Sequence, residues 1–101
     1  MEKQIDGSLM KFIIEKDLIA PNVKNMNISL MDALDDIEAI DEVVVDLNHI
    51  NNIDSVGVSF IVSFYKNISN EGLEFRIINA SNDIIQLFKL MKLDDFFIIE
   101  E

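Results

Sequence analysis

Apolar positions along the chain follow two rhythms, one of period two and one near 3.6. Residues Glu2 to Ile5 are too few to define an element by pattern. Asp6-Gly7, however, is a strong tight-turn pair, and Leu9-Met10-Lys11-Phe12-Ile13-Ile14-Glu15 reads as a strand, so a small hairpin is expected at the start. Lys16-Asp17 ends that strand, and Pro21 suits the first turn of a helix. From Val23 the residues Met26, Ile28, Leu30, Met31, Leu34 and Ile37 recur at roughly helical spacing, with Asn25, Asn27, Asp32, Asp35 and Asp36 on the exposed side. Ile40-Asp41 leads into a strand over Glu42 to Leu47. Its Val43-Val44-Val45 centre is β-branched and nearly continuous in apolar character, the pattern of a strand buried on both faces.

Asn48 ends that strand, and a polar loop anchored by Ile50 and Ile53 follows. A long helix is expected from about Ser55 to Ser69, stopped by Asn70-Glu71-Gly72 with Gly72 as a left-handed cap. Leu73 to Ile78 alternates Glu74 and Arg76 against Phe75 and Ile77 and reads as a strand. Ser81 or Asn82 caps a third helix carrying Ile84, Ile85, Leu87, Phe88 and Met91. Leu93 and the run Asp94 to Ile99 form a short last element. The order β-β-α-β-α-β-α plus a tail predicts an α/β fold, a mostly parallel mixed sheet flanked by crossover helices, in one domain over residues 1–101. Val43, Val45, Leu47, Phe75 and Ile77 are its expected sheet core.

Composition narrows the function. A net charge of −11 argues against nucleic-acid binding and against adsorption to anionic lipid. The absence of cysteine removes disulfides and thiolate metal sites, and with a single histidine, His49, a zinc site would need mainly carboxylate ligands, which is unusual. The aspartates lack metal-loop spacing, so neither metal nor cofactor is expected. No apolar run is long enough to span a bilayer, and the N-terminus lacks the basic and apolar regions of a signal peptide. The expected address is the cytoplasm.

Candidate chemistry gathers at Asn52-Ile53-Asp54-Ser55-Val56-Gly57-Val58, between a strand and a helix. First-turn N–H groups and the helix dipole favour an anion such as a phosphate there. Ser55 is the candidate phosphorylation site; it, or Asp54, also has a plain reading as the helix cap. Asp54 could orient the serine or meet a basic group of a partner. Gly57 allows either close approach of a partner backbone or close packing inside the protein. The helix itself is too apolar for one buried face. Val58, Ile61, Val62, Tyr65 and Ile68 form one stripe; Phe60 and Phe64, with Val56, form another. Either neighbouring elements cover both stripes, or the second is an exposed partner-binding patch. Asp54, Ser55, Val56, Gly57, Phe60 and Phe64 are therefore the expected partner contacts. His49 reads as a solvated loop residue, and nothing in the spacing specifies a Ser55–His49–Asp triad, so no enzyme is expected.

Val45-Asp46-Leu47 followed by Ile53-Asp54-Ser55-Val56-Gly57-Val58 resembles the signature of STAS domains, most closely bacterial anti-sigma factor antagonists, whose central motif is Asp-Ser-Ser/Thr-Gly and an aliphatic residue. Tyr65-Lys66, Glu71-Gly72, Leu87-Phe88-Lys89-Leu90 and Leu93-Asp94-Asp95-Phe96-Phe97 extend the resemblance over most of the chain from Glu42. Three departures stand out. Lys16-Asp17-Leu18-Ile19 replaces the family's Gly-Glu-Leu-Asp turn, Val56 replaces a hydroxyl residue, and Lys92 replaces a common glycine.

The resemblance implies a partner-switching cycle. The unmodified protein binds an anti-sigma factor that is also a serine kinase and so frees a sigma factor. The kinase, with ATP and magnesium in its own site, phosphorylates Ser55 and is released; a serine phosphatase resets the cycle. Two alternatives are a phosphorylation-independent STAS scaffold or accessory subunit of a signalling or lipid-transport complex, and a small hydrolase using Ser55.

Overall fold

A computed structural model of the chain describes residues 1–101, apart from the side chains of Asp32, Ala33 and Asp36. The expected exposure of Asp32 and Asp36 lies outside the described side chains. The elements are β1 (Glu2–Asp6), β2 (Leu9–Ile13), α1 (Ala20–Ala33), β3 (Glu42–Asp46), α2 (Ser55–Asn70), β4 (Glu74–Ile78), α3 (Asn82–Leu90) and β5 (Ile98–Ile99), with short 3-10 turns at Leu34–Asp36 and Leu93–Asp95. The helix expected to reach Ile37 thus tightens into a 3-10 turn after Ala33. Gly72 has φ +77 and ends α2 as anticipated; Lys92, where the family commonly has glycine, also takes the left-handed conformation at φ +61.

Spatial strand order equals chain order, with β1 antiparallel to β2 and every later pair parallel. Each parallel crossover therefore steps one strand in the same direction. Right-handed crossovers of that kind put all three helices on one face of the sheet. The register agrees. Met10, Val43 and Phe75 share one row, Phe12, Val45 and Ile77 the next, and all six join the helix residues in one core. Val43, Val45, Leu47, Phe75 and Ile77 are all buried, as expected from their pattern.

The opposite face has no helical layer, yet β3 is buried on both sides. Val44, on that face, is only 2% exposed. Its row neighbours are Lys11 and Arg76, whose aliphatic stems cover it while their charged ends pair outward. Lys11 Nζ lies 3.4 Å from Asp46 Oδ2, and Arg76 lies 3.3 Å from Glu42 and 3.6 Å from Glu100. Partly exposed pairs of this kind add little stability by themselves; their effect is to keep an uncovered sheet face polar.

Apart from Val56 at its start, both stripes of α2 are covered, which corrects the expectation of an exposed aromatic patch. Phe64 is 0% and Phe60 3% exposed. The Phe64 ring packs edge-on against Phe12 of β2 at 5.2 Å, Phe75 of β4 at 5.4 Å and Phe60 at 6.0 Å. The phenylalanine stripe is therefore the one seated on the sheet. The second stripe is taken up by flanking elements: Ile68 shares a crevice with Leu34 and Ile37 beyond α1, and Tyr65 packs on Phe97. An apolar helix in so small a domain is wrapped on two sides because helices and the C-terminal segment crowd onto a single sheet face.

Gly57 is buried for a related reason. A Cβ built there would collide with the Leu18 carbonyl oxygen in the β2–α1 loop. The glycine serves close internal packing and not partner approach.

Two outcomes are expected. Phe64→Ala should lower unfolding free energy by about 3–5 kcal/mol, the range for truncating a core phenylalanine, measured by urea denaturation. Gly57→Ala sets two effects against each other. Helix propensity alone favours alanine by about 1 kcal/mol, whereas forcing a backbone contact apart costs about 1–3 kcal/mol. Because Leu18 contributes a carbonyl and not a flexible side chain, the clash should win and the melting temperature should fall.

Candidate functional site at the start of α2

Ser55 is the first residue of α2, and its side chain is exposed. Asp54, not Ser55, is the N-cap. Its extended backbone (φ −113°, ψ −176°) aims the carboxylate back over the first turn, where Oδ1 accepts from the Gly57 amide at 2.9 Å. Oδ2 accepts from the Ala20 amide at 2.9 Å, at the first residue of α1. One carboxylate therefore ties together the beginnings of two helices. Ile19, the residue capping α1, supplies no side-chain bond of its own.

A second aspartate completes the clasp. Asp17 Oδ1 accepts from the amides of Asn51 at 2.9 Å and Asn52 at 3.2 Å, and its Oδ2 accepts from Asn52 Nδ2 at 3.0 Å. Between them the Leu18 N–H donates to Asn52 O at 3.1 Å, the Asp54 N–H donates to Leu18 O at 3.0 Å, and Leu18 bridges to Ile53. The β2–α1 and β3–α2 loops are thus bound as a short parallel ladder just before Ser55.

Electrostatics follow from these bonds. The Gly57 amide, then that of Ala20, holds the Asp54 carboxyl below its ordinary value against a weaker opposing effect of burial. The Asn51 amide, then the side chain and amide of Asn52, does the same for Asp17. At the end of β3, burial pushes Asp46 up, but the Asn48 amide, the Asn79 side chain and Lys11 together outweigh it, and the net shift is down. Depressed aspartate values stabilise the fold at neutral pH, and that contribution is lost as pH falls through the lowered values.

Of the six expected contact residues, Ser55 and Val56 are exposed, Val56 at 43%, and Asp54 is half-buried. Gly57, Phe60 and Phe64 are buried and reach no surface. Ser59, one turn on from Ser55, is exposed and joins the accessible face instead. The expected anion-favouring amides are only partly free, because Asp54 already occupies that of Gly57. His49 lies exposed in the turn after β3. No group of three or more potential metal ligands occurs among the described residues. No helix among them is long and apolar enough to cross a membrane.

Asp17, Leu18, Ala20 and Asn51 are not marked as functional by pattern, and Asn52 is marked only as the first residue of the candidate stretch. The one available signal was Asp17-Leu18, standing where the resembled family has Glu-Leu.

Comparison with known proteins agrees with this geometry. The STAS domain family profile matches residues 1–101. No curated protein sequence matches. The crystal structure of TM1081 from Thermotoga maritima, provisionally assigned as an anti-sigma factor antagonist, superposes with a TM-score of 0.87 at 20% identity, over 99% of this chain and 85% of that one. The NMR structure of TM1081 gives 0.78 at 21% identity, over 96% and 77%. The anti-sigma factor antagonist SpoIIAA, in its unphosphorylated form, gives 0.71 at 11% identity, over 99% and 87%. The structural likeness at these identities concerns the fold. With the family profile spanning its whole length and its five-stranded mixed sheet and three helices arranged as in these neighbours, the chain belongs to the STAS domain family.

Proposed function

We propose that this STAS domain is an anti-sigma factor antagonist that works by partner switching on Ser55. In the unmodified state it binds an anti-sigma factor that is also a serine kinase, and a sigma factor goes free. The kinase transfers the terminal phosphoryl group of ATP to Ser55 Oγ, and the modified antagonist lets go. A serine phosphatase hydrolyses the phosphoester and restores binding. The cycle is placed in the cytoplasm, where ATP is available, and this chain is a substrate in it and not an enzyme.

The observation that carries the reading is the placement of Ser55. It is exposed at the first turn of α2, on a backbone fixed by Asp54 and the Asp17 clasp, so a kinase meets the serine at a fixed place on the surface. Val56, an exposed apolar residue beside it, supplies contact area, and Ser59 and Asp54 complete the face. Gly57, Phe60 and Phe64 act from below by packing this face in place. The likeness to SpoIIAA, an antagonist known in an unphosphorylated form, supports the same reading.

Release follows from charge. Phosphorylation adds roughly −1.5 to −2 charges and three acceptor oxygens to a chain already at −11. Asp54 sits next to the new group and holds the Gly57 amide that would otherwise help neutralise it. The dianion therefore faces the partner. Like-charge juxtaposition at an interface costs several kcal/mol, and about 3 kcal/mol weakens binding roughly a hundredfold.

Accordingly, Ser55→Ala should bind the kinase partner and resist phosphorylation, while Ser55→Asp should fold but bind poorly. Purified partner, ATP and mass spectrometry test the first; calorimetric titration of Ser55→Asp, with the phosphorylated protein beside it, tests the second. An unmodified Ser55, or equal affinity of both forms, would instead favour a phosphorylation-independent scaffold.

A further inference from the structure

The far end of α2 carries a second surface. Tyr65 lies about 15 Å along the helix axis from Ser55. Its ring packs against Phe75, Phe96 and Phe97 at 5.9, 6.2 and 5.2 Å. Phe97 is buried, but Phe96 is 62% and Ile98 59% exposed. Beside the rings is a pocket of about 80 Å³ lined by Val62, Tyr65, Lys66, Leu93, Phe96 and Phe97. A shallower groove continues from Tyr65 and Phe96 past Glu74 to Ile98. An exposed aromatic ring and an exposed isoleucine flanking a pocket form the kind of apolar patch that marks a contact surface.

The backbone adjoining this groove is open. β5 is the last strand of the sheet. The Glu100 N–H donates to Ile77 O at 2.8 Å and Glu100 O accepts from the Ala80 N–H at 3.1 Å, so Ile98 and Glu100 turn their peptide groups toward β4. Alternation along the strand turns the N–H and C=O of Ile99 outward. A sheet edge of this kind accepts an extended segment as an added strand.

Charge selects the segment. Asp94 and Asp95 immediately precede Phe96, Glu74 lines the groove, and Glu101 ends the chain after β5, while Glu100 is already paired with Arg76. Aromatic faces among carboxylates suit a guanidinium, which stacks on the ring and pairs with the acids. A second copy of this chain, at −11, would bring acid against acid.

We propose that the Tyr65–Phe96–Phe97 groove and the free edge of β5 form a docking site for an extended, basic segment of a partner protein that alternates arginine with aliphatic residues. Its backbone pairs with Ile99, an arginine stacks on Phe96, and an aliphatic side chain enters the pocket. The site is independent of Ser55 and would hold a partner in either phosphorylation state.

The test is an NMR titration of the isotope-labelled full chain with a synthetic peptide of about seven residues alternating arginine and valine, a typical strand length. A peptide with glutamate in place of arginine serves as control. The expected result is saturable shifts at Tyr65, Ser69 and Asp94 to Glu100, slowed exchange of the Ile99 amide, no shift at Ser55, and at least about tenfold weaker binding by Phe96→Ser. Phe96 is exposed, so that variant keeps its fold. The proposal is overturned by no binding, by equal binding of the glutamate peptide, by saturation elsewhere on the surface, or by Phe96→Ser within about twofold of the wild type. Self-association without peptide that depends on Phe96 would assign the groove to a second copy and overturn it as well.

Discussion

Close approach of α2 to the β2–α1 loop is the constraint from which the Ser55 corner follows. Only a residue without a side chain fits against the Leu18 carbonyl at position 57, and that contact lets the Asp54 amide reach the same oxygen. Asp54 can then span the starts of α1 and α2, and Asp17 can hold the loop ahead of them. The exposed serine thus stands on two loops and two helix starts at once. Both clasp aspartates accept amide bonds that favour their ionised form, so the corner is held most firmly at neutral pH and loosens in acid.

The second organising fact is that strand order equals chain order. A sheet wound in one direction collects every helix on one face, and this crowds α2 between α1 and the C-terminal segment. That crowding buries Phe60, Ile61 and Phe64 in the middle of an unusually apolar helix while leaving its two ends at the surface. The first end carries Ser55. The other end carries Tyr65, whose ring meets Phe96 of the C-terminal segment. On the open face the sheet depends on Lys11 and Arg76 to shield Val44, with carboxylates spaced to pair with them.

Much of this was legible in the residues. Alternation of β-branched and helical patterns gave the element order, Asp6-Gly7 gave the hairpin, and the Val43–Val45 run announced a strand buried on both faces. The place of Ser55 at a helix entrance was equally plain. What pattern could not supply was who covers what. Phe60 and Phe64 looked surplus to a one-faced helix because periodicity does not reveal that two other elements share the same sheet face. Gly57 looked equally apt for a partner or for packing until the Leu18 carbonyl was found opposite it. Asp17, Asn51 and Asn52 carry no periodic signal at all; their meaning lies in contacts between loops more than thirty residues apart in sequence. The left-handed Lys92 was marked only by contrast with the glycine common in the family.

The central claim is that phosphorylation changes the surface at Ser55 and leaves the clasp beneath it intact. Amide hydrogen exchange on unmodified and Ser55-phosphorylated protein tests this directly. Protection at Ala20, Asn51, Asp54 and Gly57 should be the same in both forms, because these amides bond to Asp17, Asp54 and Leu18 and not to the serine. Faster exchange at these four amides on phosphorylation would contradict the account and would mean that the switch works by opening the corner and not by charge at its surface.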